Sequence, residues 1–178
     1  MAVYEGNEKY IFISYAHKDS TVVLPVIEAL QREGYRVWYD GGIEAGTEWP
    51  EYIADHLSAC GVALIFISEN ALASQNCIRE INFAISEKRE MLAVYLSDVT
   101  LSKGMRMQLG TLQALYRRRF LDDESFISAL LDARILRPCK EGYVPEEDEV
   151  EEEDESDLSA FFGASKQKKK ARERGNPS

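Results

Sequence analysis

Cysteine, histidine and long apolar runs are all scarce in this chain of 178 residues, and each scarcity removes a class of function. Three cysteines, Cys60, Cys77 and Cys139, are an odd number at wide spacing, so no disulfide framework is implied. No positively charged start followed by an apolar run marks a secretory leader, and a reduced, cytoplasmic protein is the expectation. Two histidines, His17 and His56, without a CxxC pair give zinc too few ligands. No metal site and no resident cofactor are expected. The longest strongly apolar run, Val62 to Ile67, falls far short of the ~20 residues that a membrane span requires, which excludes a bilayer crossing within this sequence. The patterns GxxxxGK[ST], GxGxxG and GxSxG are missing, so Walker, dinucleotide-fold and serine-hydrolase sites have no foothold.

Charge is plentiful but unevenly placed. Eleven acidic residues and no basic one lie between Glu141 and Asp157, and Lys166, Lys168, Lys169, Lys170, Arg172 and Arg174 crowd the end. Such blocks bury no core, and residues 141–178 are expected to be a disordered tail, acidic and then basic. Residues 1–140 keep 19 acids against 15 bases, so most of the overall charge of −10 belongs to the tail. A mildly acidic domain offers no patch to extend the basic cluster, and no aromatics interleave with it. Binding to nucleic acid is not expected.

Within residues 1–140, short apolar runs alternate with helical patterns. Tyr10–Ser14, Tyr35–Tyr39, Val62–Ile67, Met91–Leu96 and Ala114–Tyr116 read as strands, nearly all apolar as in a parallel sheet buried on both faces. Helices follow them. The first is capped by Asp19 or Ser20, carries Val23, Ile27 and Leu30 on one face, and stops at Gly34. A second begins at Thr47 and carries Trp49, Ile53 and Leu57. A third begins at Ser74, a short one covers Met105 to Leu109, and the last is capped by Asp122 or Asp123 and carries Phe126, Ile127, Leu130, Leu131 and Ile135. This alternation implies an α/β fold, a flavodoxin-like five-stranded parallel sheet with helices on both faces.

In such a sheet, ligands bind beyond the carboxyl ends of the strands. The loops Ser14–Asp19, Asp40–Trp49 and Ser68–Glu80 all open on that edge, so His17, Asp40, Trp49 and Glu80 can surround one cleft. Glu80 needs the most explanation. On its helix, Ile78, Ile81 and Ile85 cluster on one face, flanked by Cys77 and Ala84, and Glu80 falls about a quarter turn from their centre. That places a carboxylate at the core boundary. A capping box does not account for it, because the box on Ser74 would need Glu or Gln where Cys77 stands. A solvated surface carboxylate is the ordinary alternative. Trp49 is either core packing or an aromatic wall for a bound ring, and Asp40 beside two glycines is either turn-forming or ligand-facing.

The residues themselves resemble a known family. Phe12-Ile-Ser14-Tyr15, Val37-Trp-Tyr-Asp40 with the loop Gly42-Ile-Glu44-Ala-Gly46, Ile65-Phe-Ile-Ser68-Glu-Asn and Ser74-x-x-Cys77-x-x-Glu80 are similar, in order and spacing, to the successive boxes of the Toll/interleukin-1 receptor (TIR) domain in its bacterial form. The match spans about residues 8 to 136. The resemblance implies the TIR fold and a loop after the second strand, here Gly42, Ile43, Glu44 and Gly46, that mediates self-association into a homo-oligomer or contact with other TIR or sensor proteins. It also implies cleavage of NAD+ to nicotinamide and ADP-ribose or a cyclised variant, in signalling or defence. Glu80 is then the catalytic residue, and Ser14, Tyr15, His17, Asp40, Trp49 and Cys77 surround NAD+, a substrate and not a cofactor. The other function known in such domains is that of a non-enzymatic adaptor acting through TIR–TIR contact. Glu80 favours the enzyme. Ala16 and His17, near where family members often carry arginine, and Asn76, where bacterial enzymes often carry tryptophan, are departures, and Ala16 and Asn76 favour the adaptor or weak activity.

Overall fold

Four apolar segments and one mixed segment form the sheet, and the first three are buried along their whole length, as strands covered on both faces must be. They are Ile11–Ser14 (β1), Val37–Tyr39 (β2), Val62–Ile67 (β3), Glu90–Tyr95 (β4) and Gln113–Tyr116 (β5). The computed structural model describes residues 2–41 and 50–146, so the expected helix start at Thr47 and the side chain of Trp49 lie outside the described residues, as do Gly42, Ile43, Glu44 and Gly46. Residues 147–178, which hold most of the charged tail, lie outside them too. The chain divides into two units, Met1–Val144 and Pro145–Ser178, and the sheet belongs wholly to the first.

All four strand pairings are parallel, in the order β2-β1-β3-β4-β5. This is the flavodoxin-like order, in which the chain reverses direction across the sheet between β1 and β3. Ser20–Arg32 (α1) and Asp123–Leu131 (α6) cover one face, where Val23, Ile27, Leu30, Phe126 and Leu130 pack on Ile11, Ile13 and Leu64. Pro50–Ala59 (α2) and Gln75–Ser86 (α4) cover the other, where Ile53, Leu57, Ile81 and Ala84 pack on Phe12, Ala63 and Ile65. The period-two alternation of β1 and β3 thus splits their side chains between two cores. Short helices Glu69–Ala73 (α3) and Lys103–Leu109 (α5) complete the set.

Several local expectations are corrected. The segment after β3 holds two helices: Ser68 caps α3 by accepting from Ala71 N, the chain extends at Ser74, and Ser74 caps α4 by accepting from Cys77 N. Asp19 occupies the N-cap position of α1, but its side chain does not cap that helix, because its oxygens accept from Ser68 and Asn70. Ile135 lies outside the last helix, which ends at Leu131 and gives way to a 3-10 segment, Arg134–Cys139. Gly34 does end the α1 region, with φ of +84°, a left-handed conformation that glycine adopts without strain. Cys139 is fully buried, and Glu141 N donates to Gly34 O at 2.9 Å, so the chain remains part of this unit to at least that residue.

Candidate active site

The site grows from the carboxyl ends of β1 and β2 and the first turns of α4, at the switch point of the sheet. Ser14 ends β1 and is 1 % exposed. Its hydroxyl donates to Glu80 Oε2, joining two residues 66 positions apart in sequence. The apolar stripe of α4 is centred on Cys77, Ile81 and Ala84, while Ile78 and Ile85 are only partly buried. That centre lies closer to Glu80 than the isoleucine pattern suggests, so the residue is half-buried and its carboxyl faces Ser14. Loss of hydration pushes the Glu80 pKa up to about 7; the negative charge of Asp40 adds to the rise and the Ser14 hydrogen bond opposes it. Near neutral pH this carboxyl gains and loses its proton readily.

Tyr15 and His17 continue from β1 toward β2. The Tyr15 hydroxyl donates to Asp40 O at 3.3 Å, and the Tyr15 and His17 rings lie 5.6 Å apart. His17 Nε2 stands 3.8 Å from Asp40 Oδ2, an ion pair when the imidazole is protonated. The His17 side chain is 53 % exposed and that of Asp40 12 %, so the histidine faces solvent while the carboxylate is turned inward. Burial raises the Tyr15 pKa, with Asp40 contributing, so this phenol stays a neutral donor.

Ala16, Ala71 and Cys77 form a small buried cluster directly behind these groups. Burial pushes the Cys77 thiol up to about 11, and Glu80 adds to the shift. A thiol held protonated is a poor nucleophile. Beside the cluster, Asp19 accepts from Ser68 Oγ and, at 2.7 Å, from Asn70 Nδ2, fastening the loop after β1 to the one after β3. Sequence reasoning did not find this network. Its only trace was Ser68 three residues before Ala71 at the end of an apolar strand, an N-cap signature.

Ser14, Tyr15, His17, Asp40, Cys77 and Glu80 therefore gather at one edge of the sheet, with Ser14 and Cys77 buried behind its surface. On the α1 and α6 side, a separate groove of about 400 Å³ is lined by Asp19, Val22, Ser68, Asn70, Arg117 and Phe126 among others, and neither Ser14 nor Glu80 reaches it. Among the described residues, no group of three or more His, Cys, Asp or Glu side chains converges as metal ligands would, and no helix is long and apolar enough to cross a membrane.

A five-stranded parallel sheet in this order, with helices on both faces, is flavodoxin-like, and it matches the fold of solved TIR domains. The family model for the TIR domain matches residues 11–131, and the chain belongs to that family. Solved structures of the same fold include the TIR domains of the activated Roq1 resistosome that directly recognises the pathogen effector XopQ (16 % identity over 69 % of this chain and 97 % of that one, TM-score 0.56). The TIR domain of the Toll-related receptor TRR-2 from Hydra magnipapillata is similar at 16 % identity over 67 % of this chain and 93 % of that one, with a TM-score of 0.54. A CMP N-glycosidase from Clostridium botulinum, BcmB, also superposes, at 13 % identity over 68 % and 98 %, with a TM-score of 0.51. Comparison with curated proteins gives no match.

Proposed function

We propose that this chain is an NAD+ glycohydrolase, with Glu80 as its catalytic residue. The observation that carries the proposal is a single carboxyl, drawn into the carboxyl edge of the sheet and hydrogen-bonded to Ser14, whose pKa of about 7 lets it be charged or protonated near neutrality. Cleaving the bond between nicotinamide and ribose sends the bonding electron pair to the pyridinium nitrogen and leaves oxocarbenium charge on the anomeric carbon. A carboxylate held nearby, out of water, lowers the energy of that charge. Water then adds to the carbon, and Glu80 accepts the proton it releases, a task suited to a base whose pKa lies near the working pH. The products are nicotinamide and ADP-ribose, or a cyclised form when a nucleophile of the substrate itself replaces water. The leaving group departs as a neutral molecule and needs no general acid. The fold shared with a CMP N-glycosidase supports a reaction at an N-glycosidic bond. Tyr15, His17 and Asp40 are proposed to contact the substrate, with Trp49 and the loop Gly42, Ile43, Glu44 and Gly46 contributing to substrate contact and self-association.

A second reading, the non-enzymatic TIR adaptor, draws on Ala16. This side chain is 6 % exposed and packs with Ala71 and Cys77, so in the loop near which relatives often carry arginine it provides apolar contact and no cation for a phosphate. The two readings separate when the purified chain is incubated with NAD+ over a range of protein concentrations and the products are resolved by chromatography. Release of nicotinamide is expected. Its absence at every concentration would favour the adaptor.

A further inference from the structure

Ser14 is 1 % exposed, and its backbone is held by parallel pairing of β1 with β3, where it lies opposite Ile65. A serine hydroxyl has one proton to donate, and here that proton goes to Glu80 Oε2. We infer that Ser14 is a positioning residue, whose hydroxyl fixes the orientation of the Glu80 carboxyl and favours its charged form, and that it does not touch substrate. The inference rests on the glycohydrolase reading for its catalytic meaning, and on the geometry alone for the contact.

The surroundings of Glu80 give this bond its weight. Asp40 faces it from the end of β2 and Cys77 from its own helix; behind them, His17 sits against Asp40, and Asp19, at the start of α1, lies near Cys77. Among the described residues no cation pairs with Glu80. Burial and Asp40 both disfavour its charge, and the Ser14 hydroxyl is the group that supports it. A glutamate side chain also has three rotatable bonds, so an anchored oxygen fixes where the remaining lone pairs point. A buried, strand-anchored hydroxyl holds that oxygen more tightly than a loop side chain would.

The test is Ser14→Ala in the full chain, read in two ways. In the first, kcat and KM for NAD+ are measured from pH 5 to 9.5. Removing a hydrogen bond to a charged group should move the acid limb of kcat upward by about one pH unit or more, lowering kcat at pH 6.5 by roughly tenfold, with recovery near pH 9. KM should change by less than about twofold, on the same argument that Ser14 does not meet substrate. A raised KM with an unmoved acid limb would make Ser14 a substrate contact, and a lower melting temperature with kcat and limb unchanged would make it only structural. Either result overturns the inference. In the second, the Glu80 carboxyl is titrated by carbon NMR, its signal assigned by its loss in Glu80→Gln. The midpoint should rise in Ser14→Ala; an unchanged midpoint overturns the inference. A wild-type chain that releases no nicotinamide at any pH defeats the enzymatic reading, and the titration still decides the role of Ser14.

Discussion

Glu80 combines two requirements that oppose each other in energy. A carboxylate close to an apolar stripe is available to a substrate at short range, but its charge is poorly solvated there, and stability depends on pH as a consequence. The folded-state pKa of Glu80 rises from 4.5 to about 7, so the folded chain binds this proton more tightly than the unfolded chain. The stabilisation that the proton provides is complete below about pH 4.5 and is lost as pH rises through about 7. Glu80→Gln, which keeps the shape and the acceptor for Ser14, should therefore gain stability over the parent as pH rises, by on the order of 2 kcal/mol at pH 8 and by little at pH 4. Denaturant unfolding of both proteins at the two pH values measures this, and equal differences at both would show that Glu80 is not held in a desolvating site. The position of Glu80 was legible in the sequence because helical phase is a local property. Its bond to Ser14 was not, because it spans 66 residues and arises only when the sheet brings β1 beside α4.

At the scale of elements, the strands were legible because burial on both faces leaves unbroken apolar runs, and Val62–Ile67 matches its predicted bounds. The segment between β3 and β4 was less so. A five-residue helix such as α3 is too short to show a helical period, and the serine that caps it, Ser68, is by itself too weak a signal to separate a helix start from a turn. Position alone offers Asp19 or Ser20 as the cap of α1, whereas the partners of the Asp19 side chain, the N-cap Ser68 and the first-turn Asn70 of α3, lie 49 and 51 residues away. Asp19→Ala should lower stability by about 1–3 kcal/mol, because it removes both acceptors and leaves Ser68 without this partner at a buried position. Ser74→Ala should lower it by about 1 kcal/mol by removing the cap of α4. Urea unfolding ranks the two. A null effect of Asp19→Ala would show that the two loops are not held together by this network.

At the scale of the whole molecule, the unit Met1–Val144 contains every buried residue named above, and Leu136 and Cys139 close one side of its core. A chain ending at Val144 should keep the melting temperature of the full chain within about a degree, since a sequence so rich in charge is expected to bury little apolar area. A fall of several degrees would show that the charged tail packs. If contact between TIR domains controls activity, nicotinamide release per molecule should rise with protein concentration, and Ile43→Asp, which puts a charge in the loop that the family resemblance links to self-association, should flatten that dependence.

The central claim is that Glu80 acts chemically. Nicotinamide release from NAD+ should be measured for the parent chain, Glu80→Gln and Glu87→Gln, with melting temperature and urea stability recorded on the same preparations. Glu87 lies exposed at the end of α4 and controls for loss of charge on the helix. Losing electrostatic stabilisation at the reacting carbon typically costs ~3 kcal/mol or more, on the order of a hundredfold in rate. The account predicts that loss in Glu80→Gln without loss of folded protein, and an unchanged rate in Glu87→Gln. A folded Glu80→Gln protein that releases nicotinamide at a rate close to the parent's would contradict it.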